Sequence, residues 1–319
     1  MMVLRVLLSL LLSVGAVFFA TRNVDWSQLR ALLGQAHYWP LAWALMLSSV
    51  TFTLRAWRWQ VLLNPFQKIA LWQLLRWQVG GLLINNLLPM RMGELVRAYW
   101  TGHKTRIAKS SILGTIVVER VFDMASMAAI ACAVLLGAGL YHFNRAIAVG
   151  AVTSIVILSV TAKLFIHDAM LQNLTARLPA KIRELADDFV KGLSVFKDKK
   201  EIFKVAMVSP LIWAADIFII AVLSRTLGLD LSWMQAAVLA VGLILGVMIP
   251  AAPGAVGTYE AGGVAALGLI GFDATRAFSF VFLMHCFQIF TTIVLGVPVL
   301  FAEGFTVKQI LNAEKEGAQ

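Results

Sequence analysis

Apolar segments about as long as a bilayer is thick recur along the chain, and they constrain its fold more than any other feature. A helix needs ~20 mostly apolar residues to cross a ~30 Å hydrocarbon core. By that measure the candidate spans lie at about 4–20, 38–60, 108–138, 146–166, 203–225 and 275–302. Hydrophobic residues make up 60% of the 319 residues and charged residues only 14%, a balance that soluble domains of this size rarely show. The sequence predicts an all-α polytopic membrane protein, with residues 1–319 forming a single integral membrane domain.

The first apolar segment is also compatible with a secretory signal peptide, because it is short and follows Arg5. A signal peptide ends in small residues before its cleavage site, whereas Phe18 lies at that point of this segment. We therefore expect a retained first helix. Cys132 and Cys286 both fall inside predicted spans, so we expect two small core residues and no disulfide framework.

Lysine and arginine are concentrated in the loops on one side of the predicted membrane. With six spans, that side carries residues 103–109, the loop 167–203 and the C-terminal tail. Because basic loops stay in the cytoplasm, both termini are predicted to be cytoplasmic. The protein itself is predicted to lie in the inner membrane of a bacterial cell. The formal net charge of +10 follows from this topology and favours anionic lipid surfaces. No nucleic-acid partner is expected, because the basic residues are not gathered in a soluble domain.

The loop 167–203 contains an amphipathic helix, predicted over residues 177–200. Apolar side chains recur in it three or four residues apart, with charges of both signs between them, at Leu178, Ile182, Leu185, Phe189, Leu193 and Phe196. Such a helix can lie on the cytoplasmic membrane surface, or it can be a soluble helix that packs on its own protein. The pattern leaves both alternatives open.

Two further apolar regions, residues 71–100 and 233–271, are interrupted in the middle by residues that disrupt helices. These residues are Asn85, Asn86, Pro89 and Gly93 in the first region, and Pro250, Pro253, Gly254 and Gly257 in the second. Each half is too short to cross a bilayer alone, and the charge pattern requires each region to return to the side from which it entered. We predict that both are re-entrant broken-helix hairpins.

The two hairpins resemble each other in sequence. "VGGLLINNLLP" (residues 79–89) and "VGLILGVMIP" (residues 241–250) share a glycine after valine, an apolar run and a final proline, and each is followed by a glycine and a glutamate. Three predicted spans separate the hairpins, and an odd number of spans reverses orientation. This predicts an inverted repeat with halves at about 1–140 and 141–305. Broken helices at corresponding positions of two halves point to a transport site near the middle of the membrane.

Three motifs in this order resemble those of a known family: "LLPMRMGELVRA" (residues 87–98), "VVERVFD" (residues 117–123) and "PAAPGAVGTYEAG" (residues 250–262). They resemble the flippase-like membrane domain, which in lysyl-phosphatidylglycerol synthases is fused to an aminoacyltransferase. The resemblance implies paired re-entrant elements that move a lipid headgroup between leaflets. Few residues follow the last span, so we expect no aminoacyltransferase domain and do not carry over lysyl-phosphatidylglycerol as the substrate.

Charged residues inside the membrane are candidates for function, because each costs roughly 2.5–3.5 kcal/mol at the bilayer centre on insertion scales. Arg91, Glu94 and Arg97 follow the first break at intervals of three residues. We interpret Arg91 and Arg97 as a clamp for a phosphate, assisted by free amides at the start of the helix. Glu94 would orient these arginines or meet a cationic headgroup. The alternative is an internal ion pair that only positions the hairpin.

An acidic pair follows further along the chain. Glu119 and Asp123 lie four residues apart on one helix face, beside Arg120. We expect an arginine of the first hairpin as its partner, and both an architectural role and direct substrate contact remain open. Arg58 is interpreted as an interfacial side chain that snorkels beside neighbouring tryptophans. Asp216 is expected either to pair with an arginine or to carry a proton.

In the second hairpin, Gly254 and Gly257 allow close approach of the backbone, and Tyr259 and Glu260 follow them. A glutamate at a helix start is favoured by the helix dipole. We count these four residues, with Asn85 and Asn86, among the candidate substrate-binding residues. His285 is interpreted as a polar core residue whose hydrogen bonds are satisfied.

Three classes of function fit these features. The first is a lipid translocase that works by alternating access on lipids with anionic or zwitterionic headgroups, alongside a partner enzyme that makes the lipid. The second is a secondary transporter of a small soluble solute. The third is a lipid-modifying enzyme with Glu119 or Asp123 as base, which ranks lowest because no nucleophile, metal or cofactor motif stands out. We therefore expect a protein that is not an enzyme and holds no cofactor.

The predicted topology can be tested by cysteine labelling of intact cells at Thr105 and Asp230. Because 103–109 is predicted to be cytoplasmic and 226–232 external, an impermeant thiol reagent should modify a cysteine at position 230 but not one at position 105. Modification at position 105 from outside would overturn the inverted repeat.

Overall fold

The computed structural model describes residues 2–87, 93–137, 179–193, 198–249 and 252–303. All the regular elements in these ranges are helical, which confirms the predicted all-α class for this part of the chain. Its α-helices are α1 (Met2–Thr21), α2 (Trp26–Gly34), α3 (Trp39–Leu63), α4 (Leu71–Leu87), α5 (Gly93–Lys104), α6 (Lys109–Gly137), α7 (Ala180–Gly192), α8 (Lys199–Ser224), α9 (Trp233–Met248), α10 (Thr258–Leu269) and α11 (Ala274–Ala302).

Helices α1, α3, α6, α8 and α11 coincide with five of the six predicted spans, and the sixth, 146–166, lies outside the described residues. Among the described residues, two stretches combine the length and hydropathy needed to cross a bilayer, Lys199–Leu227 and Ala274–Ala302. Helix α6 is as long as α11, but it carries Glu119, Arg120 and Asp123 in its middle. The number of spans therefore stays a prediction.

Beside a hydrophobic core, the protein buries charged side chains and exposes large apolar ones to an extent that is unusual in a soluble protein. Arg58 and Glu119 are completely buried, whereas Leu11, Phe18 and Phe301 are 69%, 69% and 83% exposed. A water-facing surface rarely leaves so many large apolar side chains uncovered. An apolar solvent outside and charged partners inside account for both observations.

The chain forms two compact units, each assembled from separate stretches of sequence. The first unit comprises Met1–Thr51, Leu82–Gly93 and Ala214–Leu300, and the second comprises Phe52–Gly81, Glu94–Trp213 and Phe301–Gln319. The core of the second unit is built on Trp59, Trp77 and Ile112, packed with aliphatic side chains of the same unit. The predicted repeat halves, 1–140 and 141–305, remain a prediction.

Helix α7 is the described part of the amphipathic segment, and it packs on α6 of its own unit. The two helices approach so closely at Gly114 and Gly192 that a Cβ on either would overlap backbone atoms of the other helix. The Ser111 hydroxyl also donates to the carbonyl of Asp188, at 2.8 Å. Of the two alternatives for this segment, packing on the protein is observed at the C-terminal end of α7, while Ile182 and Leu185 nearer its start are half exposed.

Helices α9 and α10 form an antiparallel hairpin with a glycine seam. Cβ atoms built on Gly242, Gly246 or Gly262 would overlap backbone or side-chain atoms of the facing helix. Only glycine lets two backbones come this close. The seam fixes the position of both helices on either side of the second break.

The cysteines are only partly where they were predicted. Both are free thiols, and Cys132 is half buried, but Cys286 is exposed. The prediction of a core position for Cys286 is wrong, because its neighbour His285 occupies the inward face of α11 and successive residues of a helix point about 100° apart.

The glycine seam predicts opposite effects for one substitution at two positions of α10. Gly262→Ala should destabilise the protein by about 1–3 kcal/mol, because the new methyl group overpacks the seam. Gly268→Ala, where nothing lies within 4 Å of a built Cβ, should stabilise it by roughly 0.5–1 kcal/mol by removing glycine from a helix. Thermal unfolding in detergent measures both, and equal melting temperatures for the two variants would contradict the seam.

Candidate functional site

A cluster of ion-paired side chains, the charged cluster, lies in the second unit. Its members are three arginines and three carboxylates: Arg58, Glu94, Arg97, Glu119, Arg120 and Asp123. They come from helices α3, α5 and α6, and the polar side chains around them come from α4 and α8. The cluster thus connects three helices through ion pairs and two more through hydrogen bonds.

Arg58 is the most deeply buried arginine of the charged cluster, and its shortest ion pair is with Asp123. The guanidinium donates to both carboxylate oxygens of Asp123, at 2.7 and 3.3 Å, in the two-pronged geometry that makes such pairs strong. Arg58 also lies 3.0 Å from the Ser209 hydroxyl, and the indole of Trp213 donates to Asp123 at 3.3 Å. Through both terminal nitrogens Arg58 thus connects α3 with α6 and α8.

Arg97 is the second buried arginine of the charged cluster. Its two terminal nitrogens donate to Glu119 and to Gln78, and its guanidinium lies 4.2 Å from the ring centroid of Trp59. It is only 4% exposed. In this arrangement both terminal nitrogens of Arg97 are bound to protein partners. This is the internal ion pair that the sequence analysis gave as the alternative to a phosphate clamp.

Arg120 is the loosely held arginine of the charged cluster. Its side chain is 39% exposed, and its ion pairs with Glu94 and Asp123 are long, at 3.5 and 3.4 Å. The Nε of Arg120 has no hydrogen-bond partner. Glu94 is also partly exposed, at 31%. This pair therefore forms the accessible edge of an otherwise buried network.

Two predictions about these charges are corrected or refined. Arg58 does not snorkel to the interface: it is 0% exposed, because the Asp123 carboxylate and the Ser209 hydroxyl meet it in the interior. The acidic pair has several partners. Glu119 pairs with Arg97 of the first broken region, as predicted, and at 3.7 Å with Arg58, while Asp123 pairs with Arg58 and Arg120.

The first break separates α4 from α5 and is bridged by an asparagine. Asn85 and Asn86 do not interrupt the helix as predicted, because α4 continues to Leu87. Their polar groups are satisfied at helical positions: the Gly93 amide donates to the Asn85 side chain at 2.7 Å, and Asn86 donates to the Thr292 hydroxyl at 2.6 Å. Arg91 and Pro89 lie outside the described residues, so the Arg91 part of the predicted clamp stays a prediction.

The second break, between α9 and α10, has an unusual backbone. Gly254 and Gly257 have positive φ angles of 70° and 90°, and Ala255 has a φ of 58°, a region that residues with a side chain rarely adopt. The amide of Ala252 donates to the Ser13 hydroxyl of α1 at 2.8 Å. Glycine is required at 257, because a Cβ there would overlap the Ser13 carbonyl. Pro250 lies outside the described residues.

Glu260 and His285 close the second break in the first unit. The Gly257 amide donates to one oxygen of Glu260, at 2.7 Å, and the other oxygen lies 2.6 Å from Nδ1 of His285. Nε2 of His285 lies 2.8 Å from the Gly254 carbonyl, and the Tyr259 ring stacks on the imidazole at 4.4 Å. As predicted, His285 is a buried residue whose hydrogen bonds are satisfied. We call Gly254, Gly257, Tyr259, Glu260 and His285 the break cluster.

Two partners in these clusters have weak signals in the sequence. Gln78 is an uncharged residue within an apolar run, and only its contact with Arg97 distinguishes it. Arg58 lies between Trp57 and Trp59, the flanks that are typical of an interfacial residue. A charge placed inside a predicted span was the signal that could have identified Arg58 as a buried partner.

Comparison with known proteins places the chain among membrane proteins. The profile of the family described as "Lysylphosphatidylglycerol synthase TM region" matches residues 6–296. A protein of Haloferax volcanii named "Glycosyltransferase AglD" is 25% identical over 297 aligned residues, covering 79% of this chain and 46% of that protein. A protein of Methanothermobacter thermautotrophicus named "UPF0104 membrane protein" is 25% identical over 203 residues, covering 56% of this chain and 60% of that protein.

The chain spans about half the length of these curated relatives, at 46% and 60%. No solved structure is significantly similar to it. These relatives therefore support the family and the membrane setting, and the activity named for the Haloferax protein belongs to that protein.

The charged cluster predicts a large difference between two conservative substitutions. Glu119→Gln should destabilise the protein by about 3–5 kcal/mol, because it leaves buried arginine charge uncompensated. The same change at the partly exposed Glu94 should cost less than about 1 kcal/mol, because water screens exposed pairs. Thermal unfolding in detergent checks both. Unchanged melting of the Glu119→Gln protein would show that this carboxylate does not support the fold.

Proposed function

Because the chain belongs to the lysylphosphatidylglycerol synthase transmembrane-region family, we propose that this membrane protein is a lipid translocase. It moves lipids with a phosphate-bearing headgroup between the two leaflets of the membrane. The proposal depends most on one observation, the partly exposed and loosely paired Arg120 at the edge of the buried charged cluster.

Arg120 has the properties that a headgroup contact needs. Its guanidinium carries a permanent charge and a planar fork of donors, which matches two phosphate oxygens. Arg58 and Arg97 make short hydrogen bonds to buried partners, whereas the ion pairs of Arg120 are long and its side chain is 39% exposed. Arg120 would therefore lose little interaction energy if a lipid phosphate replaced the Glu94 carboxylate as its partner. Glu94, once released, could contact the cationic group of a zwitterionic headgroup.

The broken helices support translocation by alternating access. Helices of 17 and 12 residues flank the first break, helices of 16 and 12 residues flank the second, and each second helix has a glutamate in its first turn, Glu94 or Glu260. Paired broken helices are typical of transporters whose halves rock around a central site. We propose that the two regions are the re-entrant hairpins of an inverted repeat.

Two alternatives fit the chain less well. A transporter of a soluble solute could use the same helices, and only the headgroup chemistry of the substrate separates it from a lipid translocase. A lipid-modifying enzyme would need a free base, whereas Glu119 and Asp123 are both held by arginines. We therefore propose movement of lipid without covalent change.

Translocation can be measured in proteoliposomes with fluorescent lipids and an impermeant quencher. Wild-type protein should equilibrate labelled phosphatidylglycerol and phosphatidylcholine, but not a labelled glucosylceramide, which has no phosphate. Arg120→Ala should slow the phosphate-bearing lipids about tenfold or more, and Arg120→Lys should have an intermediate effect, because a charge without the fork retains part of a charge-assisted hydrogen bond.

The matched control is Arg276→Ala, which removes an exposed arginine whose partner Asp273 is equally exposed. This variant should transport at the wild-type rate. If folded Arg120→Ala protein also transports at that rate, the headgroup contact is wrong. If wild-type protein moves no phosphate-bearing lipid but takes up a soluble organic phosphate, the chain is a solute transporter.

A further inference from the structure

The two contacts of His285 in the break cluster need one hydrogen more than a neutral imidazole beside an ionised glutamate provides. A carbonyl oxygen can only accept a hydrogen bond, so Nε2 of His285 must carry the hydrogen that points at Gly254, 2.8 Å away. Nδ1 lies 2.6 Å from a carboxylate oxygen of Glu260, and a contact this short needs a hydrogen between the two atoms. The pair therefore holds one titratable proton, on His285 or on Glu260, and is neutral overall.

That proton holds the second break in its present conformation. One end of the pair accepts the Gly257 amide and the other donates to the Gly254 carbonyl, so the pair connects both ends of a four-residue stretch. The stretch includes Ala255, whose φ of 58° is strained for a residue with a side chain. Strain of this kind persists only while surrounding contacts maintain it.

We propose that Glu260 and His285 form a proton-binding site that closes the second break and couples proton movement to translocation. When the proton leaves for water, the imidazole keeps a single hydrogen, on Nδ1 or on Nε2. The other nitrogen then turns its lone pair toward the Glu260 carboxylate or the Gly254 carbonyl, so that one of the two contacts becomes repulsive and the break relaxes. Rebinding of one proton restores the closed form.

The elements that form the break carry few other ionisable side chains. Tyr259 of α10 stacks on the imidazole, and Cys286 follows His285 on α11. Helix α9 and residues 10–21 of α1 contain no ionisable side chain. Residues 82–87 of α4, whose Asn86 carbonyl lies near Gly254, also contain none. Among these described elements, the break cluster has no other acid that could replace Glu260.

Coupling to lipid movement rests on the proposed function, but the proton site itself can be tested without any lipid substrate. Hydrogen exchange of residues 252–258 in the full-length protein in detergent should be followed from about pH 5 to pH 9, the range around histidine titration. After correction for intrinsic exchange, protection should fall about tenfold or more as pH rises, the effect expected when a charge-assisted hydrogen bond is lost.

Glu260→Gln is the diagnostic variant, because glutamine can still accept the Gly257 amide and can donate to Nδ1 without titrating. Its protection should stay high at every pH. The matched control Asp273→Asn, the same change at an exposed carboxylate of the same unit, should follow the wild type. Should Glu260→Gln fold poorly, His285→Asn gives the second test, since it removes the proton and should show low, pH-independent protection.

The outcomes separate the two proposals. Constant protection in the wild type, or the same fall in Glu260→Gln, overturns the proton site. A pH-dependent break in a protein that moves no lipid supports the proton site and defeats the translocase. In an active protein, lipid movement should acidify vesicles that contain a pH-sensitive dye, and Glu260→Gln should abolish that signal. Acidification by the Glu260→Gln protein equal to that of the wild type overturns the coupling.

Discussion

The structure depends on one constraint: a polar group surrounded by hydrocarbon must find its partner within the protein. The charged cluster meets this constraint in the second unit. Arg58 and Arg97, buried at 0% and 4% exposure, are balanced by Asp123 and Glu119, and these contacts fix α3, α5 and α6 against one another. Removal of one carboxylate leaves a charge with nothing to replace it, so the cluster supports the fold as much as it offers a site. Arg120 lies at the partly exposed edge of the cluster. We propose that it contacts the headgroup, whereas the buried members support the fold.

The same constraint accounts for the two breaks. Where a helix ends away from water, its free amides and carbonyls must be satisfied, and the described residues beside the two breaks use side chains that sequence alone would not pair. Asn85 accepts the Gly93 amide across the first break, while Ser13 and Glu260 accept the amides of Ala252 and Gly257 at the second. Backbone that is irregular yet satisfied can be released when a partner changes. The second break is better suited to such release than the first, because Glu260, which accepts the Gly257 amide, shares a proton with His285.

Much of this arrangement was predictable from local pattern. The helices at α1, α3, α6, α8 and α11 follow from the lengths of apolar runs, and the irregular backbone between α9 and α10 follows from Gly254 and Gly257. An arginine of the first broken region was also expected as a partner of the acidic pair, and Arg97 is that partner for Glu119. The position of Arg58 was not predictable, because tryptophans on both sides are typical of an interfacial arginine and only the three-dimensional approach of Asp123 places it inside. Likewise, Asn85 and Asn86 have low helix propensity, but tertiary hydrogen bonds keep them helical.

The central claim is that the chain recognises the phosphate of a membrane lipid. Native mass spectrometry of protein released from nanodiscs that contain equal amounts of phosphatidylglycerol and a phosphate-free glycolipid tests it most directly. The account predicts wild-type protein enriched in bound phosphatidylglycerol, and an Arg120→Ala protein that carries the two lipids in the proportion of the bilayer. Bound lipid that matches the bilayer composition in both proteins would contradict it.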